Sequence, residues 1–289
     1  MSDRMTPGDG SYGPEWSAGL RRGTDAELRL WLAVAQAACD EADVVARTHF
    51  RRSLQIETKP DRTFVTQADK AIEARIRERL LAAFPDHGLV GEEYGTEAGD
   101  ASVRWYIDPI DGTHNYIRGV PLFGTLLAVE RDGELQAAVL SAPALDERWW
   151  AHRGGGAWAR HRGETEPQRL HVSGVRDLAD AQILYGSGQD LVASGRVPGF
   201  AALIADVWRD RGFGDFWGYA LLAEGAAEAM LEVGLKPWDA AAPLVLIEEA
   251  GGRVTDLDGA RAIDTDTFLA TNGHLHDMIR SRLLERGLG

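Results

Sequence analysis

Cysteine is almost missing from this chain of 289 residues, since Cys39 is the only one. A single thiol excludes an internal disulfide and a zinc site built from several cysteines. It is typical of a protein kept in a reducing compartment, which predicts a cytoplasmic location. Long apolar runs are missing as well, so the sequence predicts neither a membrane span nor the apolar core of a signal peptide.

Positive charge is also scarce. The chain has 31 Lys and Arg against 45 Asp and Glu, which gives a formal net charge of −14. Nucleic acids and anionic membranes bind basic surfaces, so we expect neither as a partner. An anionic substrate would need local positive charge from a bound metal, whereas a cationic or zwitterionic substrate would suit the acidic balance directly.

The remaining composition is that of a globular protein, with 44% hydrophobic and 26% charged residues. The length is sufficient for one large or two medium domains. Residues 1–23, rich in Gly, Ser and Pro, predict a flexible N-terminal tail. Residues 24–160 predict an α+β half with a mainly antiparallel sheet. In residues 161–289 strands alternate with helices, which predicts an α/β half.

Three local predictions concern the elements that carry or flank the motifs. Apolar residues at helical spacing predict a helix from 25 to about 52. Residues 199–209 predict another helix. The β-branched and aromatic residues of 103–107 predict a strand, and Pro109 should end it because proline has no N–H for a strand ladder.

The residues after that predicted strand carry the most specific chemistry. Asp108 and Asp111 lie three residues apart on the expected turn, so their carboxylates should converge. Two close like charges need a cation between them, and hard oxygen ligands suit Mg²⁺. Gly112 lets the backbone approach a ligand, and consecutive N–H groups on such a turn bind an anion. A metal beside an anion-binding turn indicates phosphate chemistry.

Three further acids are candidates for the same site. Glu92 directly follows a short apolar strand, Asp239 lies at the start of a predicted helix, and Asp69 lies in the first turn of another. Each also has a simpler interpretation. Paired glutamates such as Glu92 and Glu93 are usually solvated surface charge, and an Asp at 69 or 239 is commonly a helix cap. Spacing alone leaves both interpretations open.

Together these residues resemble the inositol-monophosphatase-like family of Mg²⁺-dependent phosphatases, over about residues 25–285. The motifs that resemble it are Gly91-Glu92-Glu93, Asp108-Pro-Ile-Asp-Gly-Thr113, Trp238-Asp239-x-Ala-Ala and Gly251-Gly252, preceded by a stretch from Lys59 to Asp69. The resemblance implies a layered αβαβα sandwich of mixed α+β and α/β character, usually a homodimer. It also implies hydrolysis of a small-molecule phosphate monoester by metal-activated water.

The resemblance implies two or three Mg²⁺ ions per subunit. Glu92, Asp108 and the backbone carbonyl of Ile110 would bind the first ion. Asp108, Asp111 and Asp239 would bind the second, and Glu92 would reach a third through waters. Large electrostatic assistance of this kind is needed because phosphate monoesters hydrolyse extremely slowly unaided.

The same resemblance implies the catalytic and phosphate-binding residues. Thr113, together with Glu92, would orient and deprotonate the attacking water, and Asp69 would support Thr113. The backbone N–H groups of Gly112 and Thr113 would bind phosphate oxygens. The sequence has no G-x-S-x-G nucleophile motif, so it offers no obvious protein nucleophile.

Within the family, the sequence is most similar to the histidinol-phosphatase branch. The similar stretches are 111–121, 141–150 and 214–219. Histidinol phosphate carries an ammonium and an imidazole, which Asp215 and Glu232 could pair with. Arg211 could hold the acids or the phosphate. Asp215 could instead cap a helix that begins at Phe216, and the two roles can coexist.

The sequence departs from that branch at His114, where relatives usually carry Lys, and this leaves the rate and pH profile open. The nearest alternative function is an inositol-1-phosphate or broad sugar-phosphate phosphatase on the same scaffold. A non-catalytic scaffold or regulatory binding protein is an alternative of another class. It ranks low because every expected ligand position carries an acid.

Overall fold

The computed structural model describes residues 22–60 and 63–285. Most of the predicted N-terminal tail, residues 1–21, lies outside the described residues. Gly23, the last residue of the predicted tail, is buried, and its N–H donates a hydrogen bond to Oε1 of Gln136 at 2.9 Å.

Two helices form the first layer, α1 (Asp25–His49) and α2 (Gln67–Ala83). Thr24 caps α1 through a capping box with Glu27, as its sequence spacing favours. The helix ends at His49, slightly earlier than predicted. Apolar residues of both helices pack on the sheet below them, and the buried ones include Leu28, Trp31, Ala35, Ile72, Ile76 and Leu80.

The second layer is an eight-stranded sheet with the strand order β10-β9-β8-β7-β6-β5-β3-β4. Its strands are β3 (His87–Gly91), β4 (Gly95–Glu97), β5 (Asp100–Asp111), β6 (Gly124–Arg131), β7 (Glu134–Ala142), β8 (Glu147–His152), β9 (Gly156–Arg160) and β10 (Gln168–Leu170). Only β3 and β5 pair in parallel, so the sheet is mainly antiparallel. A separate antiparallel pair, β1 (Ile56–Thr58) and β2 (Phe64–Thr66), precedes α2.

The remaining layers come from the C-terminal half. Helices α6 (Asp215–Ala223) and α7 (Pro237–Glu249) lie between the large sheet and a five-stranded sheet of order β12-β11-β13-β15-β14. The strands of the second sheet are β11 (Gln182–Tyr185), β12 (Arg209–Arg211), β13 (Ala229–Val233), β14 (Arg253–Thr255) and β15 (Thr267–Thr271). The outer helices are α5 (Val197–Asp206) and α8 (His276–Leu284), and two short helices, α3 (Thr113–Arg118) and α4 (Gly188–Ala193), complete the chain.

Strand residues of the large sheet alternate between two apolar cores. Leu127 and Val129 of β6 face α1 and α2, whereas Leu126 and Ala128 face α7. The sheet is therefore buried on both faces, which explains its nearly continuous apolar strands. The predicted αβαβα sandwich is confirmed. Among the described helices, none combines the length and apolarity that a membrane span requires.

Two further elements have boundaries that differ from the predicted ones. Strand β5 does not end at Pro109 but continues to Asp111 through a bulge, because a bulged residue needs no ladder hydrogen bond. Helix α5 begins at Val197 rather than 199, since Pro198 fits the first turn of a helix. It ends at Asp206, and the next residues form β12 because β11 offers them a parallel partner.

Candidate active site

The bulge in β5 determines the direction of two acidic side chains. Asp108 pairs with Leu126 and Asp111 with Gly124, so two residues of β5 lie opposite Thr125 alone. Residues three apart on a regular strand point to opposite faces. The extra residue reverses this alternation, and both carboxylates reach the same side of the sheet. The two acids thus converge as predicted, although they lie on a bulged strand and not on a turn.

Asp239 joins these two acids from the first turn of α7. One carboxylate oxygen from each of Asp108, Asp111 and Asp239 lies within 4.8 Å of the other two. The N–H of Lys236 donates to Oδ2 of Asp239 at 2.8 Å, so the predicted capping contact also exists. The Asp239 carboxylate therefore caps α7 and also contributes an oxygen to the acid cluster.

The three acids are electrostatically unfavourable together. Burial, followed by the charges of Glu92 and Asp111, raises the pKa of Asp108 well above its usual value. Burial and the charges of Asp215 and Asp239 do the same to Asp111. Burial raises the pKa of Asp239 to about 6. Oδ1 of Asp108 is buried and has no hydrogen-bond partner. A divalent cation with oxygen ligands would relieve both the repulsion and the missing bond.

Glu92 lies at the edge of the acid cluster, at the end of β3. Its N–H donates to the carbonyl of Ile107 at 3.2 Å, next to Asp108. Nζ of Lys59 lies 2.8 Å from Oε1 of Glu92 and 2.7 Å from Oε1 of Glu93. Burial alone would lower the pKa of Lys59, but the two glutamates raise it. Apart from the place of Lys59 in a motif, no feature of the sequence indicates this contact.

Asp69 links the cluster to Thr113. Its Oδ2 accepts hydrogen bonds from the N–H and the hydroxyl of Thr66, at 2.8 and 2.6 Å. The hydroxyl of Thr113 lies 3.4 Å from Oδ1 of Asp69 and 2.9 Å from the carbonyl oxygen of Ile110. Burial raises the pKa of Asp69 to about 6. Asp69 therefore makes the capping contact and also reaches Thr113, so capping does not exclude a role in the site, which stays a prediction.

Gly112 lies between β5 and α3, at the cap position of that helix. Its φ of +81° belongs to the left-handed region that favours glycine. A Cβ at this position would lie 2.9 Å from the carbonyl oxygen of Leu122 and 3.1 Å from Oδ2 of Asp215. The absence of a side chain therefore lets the β5–α3 turn lie directly against Asp215.

Asp215 is the first residue of α6, and the structure does not support its expected role as the cap of that helix. The residue at the cap position is Gly214, and α6 has no side-chain cap from its own segment. Instead, Oδ2 of Asp111 accepts the N–H of Phe216 at 2.5 Å. Oδ2 of Asp215 accepts a hydrogen bond from Asn115 at 3.1 Å. Its φ of +49° is unusual for a residue other than glycine.

Glu232, on β13, lies next to Asp215. It is buried, and Oε2 accepts a hydrogen bond from the hydroxyl of Tyr219 at 2.7 Å. Burial and then the charge of Asp215 raise the pKa of Glu232 to about 8. Burial also raises the pKa of Asp215, and His114 opposes that shift. A cation bound here would favour the charged form of both acids.

Two residues considered in the sequence lie less centrally. Arg211 is exposed on the edge strand β12, and its guanidinium donates to the carbonyl of Asp210 at 2.6 Å. No described contact joins it to the acids, so its role in binding substrate stays a prediction. His114 is exposed and packs edge-on against Phe64, with ring centroids 5.2 Å apart.

Two residues that lie behind the Glu92 segment were not predicted from the sequence. Glu73 and Arg77 are buried on α2 and contact the backbone after β3. The signal was present, because two charged residues four apart occupy positions beside the buried Ile72 and Ile76. Charged residues so close to an apolar helix face seldom lack a specific partner.

The comparison with known proteins agrees with this geometry. A profile described as the inositol monophosphatase family matches residues 27–287. A histidinol-phosphatase of Mycobacterium tuberculosis is 43% identical over 253 residues, which cover 87% of this chain and 97% of that protein. A histidinol-phosphatase of Streptomyces coelicolor is 44% identical over 260 residues, covering 88% and 97%.

Solved structures are similar over nearly the same length. The extragenic suppressor protein suhB of Bartonella henselae superposes with a TM-score of 0.82 at 30% identity, covering 89% of this chain and 99% of the other. The residues matched by the family profile, 27–287, include every element that contributes an acid.

Proposed function

Because this chain belongs to the inositol monophosphatase family, a family of metal-dependent phosphatases, we propose that it hydrolyses L-histidinol phosphate to L-histidinol and phosphate with Mg²⁺ as the cofactor. One observation carries the proposal. Asp108, Asp111 and Asp239 bring carboxylate oxygens within 4.8 Å of one another, and two further acids, the partly buried Asp215 and the buried Glu232, lie beside them. The first group suits divalent cations and the second suits a cationic substrate.

The residues present fit a magnesium site. The donors are hard carboxylate oxygens, and the unpartnered Oδ1 of Asp108 lies among them. We assign Asp108, Asp111 and Asp239, with Glu92 and the carbonyl of Ile110, as ligands for two or three ions. Bound there, Mg²⁺ would stabilise the negative charge of the phosphoryl group and increase the acidity of water.

Thr113 and Asp69 would position the attacking water. The hydroxyl of Thr113 can donate its proton to the carbonyl of Ile110 or to Asp69, which leaves an oxygen lone pair to accept a hydrogen bond from water. Glu92 would take up the proton that the water loses. The N–H groups of Gly112 and Thr113 would bind phosphate oxygens, since the left-handed Gly112 exposes the start of α3.

Substrate choice is proposed to depend on the N-terminus of α6. Asp215 and Glu232 lie together there, and burial disfavours their charged forms. The ammonium or imidazolium of histidinol phosphate would compensate this cost by pairing with them. An inositol ring offers only hydroxyl groups. The relatives from Mycobacterium tuberculosis and Streptomyces coelicolor are both named histidinol-phosphatase, which supports the same choice of substrate.

A side-by-side assay of L-histidinol phosphate and myo-inositol 1-phosphate tests the proposal. We expect activity with Mg²⁺, its loss with a chelator, and a clear preference for histidinol phosphate. If the inositol ester were hydrolysed more than about tenfold faster, the assignment based on Asp215 would be wrong. Activity that survives removal of all divalent metal would contradict the metal site itself.

The assembly and the location of the protein stay predictions. The family resemblance predicts a homodimer, which sedimentation of the purified protein would test. The single cysteine predicts a cytoplasmic location, and Cys39 is buried on α1. Arg211 stays a predicted contact of the substrate phosphate or of the acids.

A further inference from the structure

Two buried charged residues of α2 take no part in the proposed reaction. Glu73 has no exposed surface, and Arg77 is 9% exposed. They lie one helical turn apart, and Nε of Arg77 donates to Oε1 of Glu73 at 2.8 Å. A buried ion pair adds little net stability, because the lost hydration offsets most of the attraction. The contacts of the pair indicate a different role.

Glu73 contacts the backbone on both sides of Glu92. Its Oε2 accepts the N–H of Glu93 at 2.6 Å, and Oε1 accepts the N–H of Tyr94 at 3.2 Å. On the other side it lies against Gly91, where an added Cβ would come within 2.0 Å of Oε1. One buried carboxylate therefore fixes the chain immediately before and immediately after Glu92.

Arg77 extends this attachment along the turn between β3 and β4. Its Nη2 donates to the carbonyl of Gly95, and Nη1 lies 3.3 Å from Oε2 of Glu97. Its guanidinium also lies 5.8 Å from the centre of the Tyr94 ring. The pair thus holds the whole segment from 91 to 97 onto α2. Helix α2 is anchored in turn by its apolar face, so the attachment is rigid.

We propose that Glu73, supported by Arg77, is a positioning residue that sets the affinity of the metal site by fixing the direction of Glu92. The inference rests on the proposed function, because the direction of Glu92 matters only if its carboxylate binds Mg²⁺. Without Glu73 and Arg77, the turn that carries Glu92 would have to become ordered when the ion binds. The conformational entropy lost in that step would lower the affinity for Mg²⁺. Groups that orient metal ligands typically change metal affinity by about 10–100-fold.

Replacing Glu73→Gln tests this directly. The glutamine amide has nearly the same size as the Glu73 carboxylate. Its NH₂ group, however, would face one of the three N–H donors from which the carboxylate of the parent protein accepts hydrogen bonds. We expect the Mg²⁺ dissociation constant, measured by calorimetry without substrate, to rise about tenfold. Part of the lost activity should return at high Mg²⁺. Glu78→Gln is the matched control, because Glu78 lies on the exposed face of α2 and pairs with Arg75. Its Mg²⁺ affinity should equal that of the parent protein.

A second variant keeps the inference testable if Glu73→Gln does not fold. Arg77→Lys retains the charge but loses the forked donors to Gly95 and Glu73, and it should raise the dissociation constant by a smaller factor. Unchanged Mg²⁺ affinity in the folded variants would overturn the positioning role.

Glu92→Gln separates this inference from the proposed function. If that variant also bound Mg²⁺ like the parent protein, the metal assignment of Glu92 would itself be wrong. If it bound Mg²⁺ weakly while Glu73→Gln and Arg77→Lys did not, only the positioning role would be wrong.

Discussion

Oδ2 of Asp111 accepts a hydrogen bond from the backbone N–H of Phe216 at 2.5 Å, although 105 residues separate them in the chain. The carboxylate thus caps α6 while it lies in the acid cluster. Asp215 is the residue immediately before Phe216. A change at Asp111 that removes this acceptor is therefore expected to affect both metal binding and the position of the residue that we propose selects the substrate.

Replacing Asp111→Asn should lower kcat/KM for histidinol phosphate by at least about 100-fold, because a direct metal ligand matters no less than the groups that orient it. The fold should persist, since the amide oxygen can still accept the N–H of Phe216. Steady-state kinetics and far-ultraviolet circular dichroism measure the two effects. Asp132→Asn, at an exposed turn, is the control and should keep full activity. Full biological activity of the Asp111 variant would favour the non-catalytic scaffold alternative.

Replacing Gly112→Ala should lower kcat/KM by at least about tenfold. Its φ of +81° costs a residue with a Cβ roughly 1–2 kcal/mol, and the Cβ would also crowd Asp215 and the carbonyl of Leu122. Gly163 has the same φ but no atom within 4 Å of an added Cβ. Gly163→Ala therefore carries the backbone cost without the crowding. Equal kinetic losses in the two variants would mean that the close approach at Gly112 has no role in the site.

Replacing Arg148→Met should lower the free energy of unfolding by about 3–5 kcal/mol, because it leaves Asp43 buried without its cation. Nη2 of Arg148 lies 2.9 Å from Oδ2 of Asp43, and both residues are 7% exposed. Arg47→Met is the matched control on the same acid. Arg47 is half exposed and lies 4.0 Å away, so its loss should cost at most about 1 kcal/mol. Urea unfolding measures both changes, and similar losses would contradict the assignment.

Acid should weaken the fold through His276, which lies buried between the hydroxyls of Thr255 and Thr271, each 2.9 Å from a ring nitrogen. Burial lowers its pKa to about 4, below the value of about 6.5 for an unfolded chain. Between those two values the unfolded chain binds the extra proton. The His276 contribution to stability is thus constant above about pH 6.5 and falls below it, by at most about 1.4 kcal/mol per pH unit.

Comparing the parent protein with His276→Gln isolates this contribution. The comparison is needed because buried carboxyls with raised pKa values change stability with pH in the opposite direction. Urea unfolding at several pH values between 4 and 7 should show a shallower decline toward acid in the variant than in the parent protein. Parallel pH curves for parent and His276 variant would contradict a neutral buried histidine.

Much of the fold could be predicted from the sequence because its elements carry local signals. The capping box at Thr24 and Glu27 gave the start of α1, and apolar periodicity gave its buried face. Pro109 misled the prediction, since a bulge tolerates a residue that a regular strand excludes. Strand β12 could not be predicted, because three polar residues become a strand only through the partner that β11 supplies.

The sequence was sufficient to identify which acids are candidates for the site, but not to predict how they are arranged in space. Asp108 and Asp111 were near in sequence, whereas Asp239 joins them only through the packing of α7 against the large sheet. The capping of α6 by Asp111 had no sequence signal at all, because its two partners lie in different halves of the chain. Contacts of this kind depend on tertiary structure, which propensity and spacing do not encode.

Helix α7 is buried along almost its whole length, between the large sheet on one side and the five-stranded sheet on the other. Neither half of the chain can therefore complete its own core. The first half alone would expose Leu126 and Leu140 to water, and the second half alone would expose the side of α7 that packs on the large sheet. Melting should be cooperative, with a single calorimetric peak for the whole chain. A polypeptide cut after residue 160 should yield two fragments that aggregate when expressed separately.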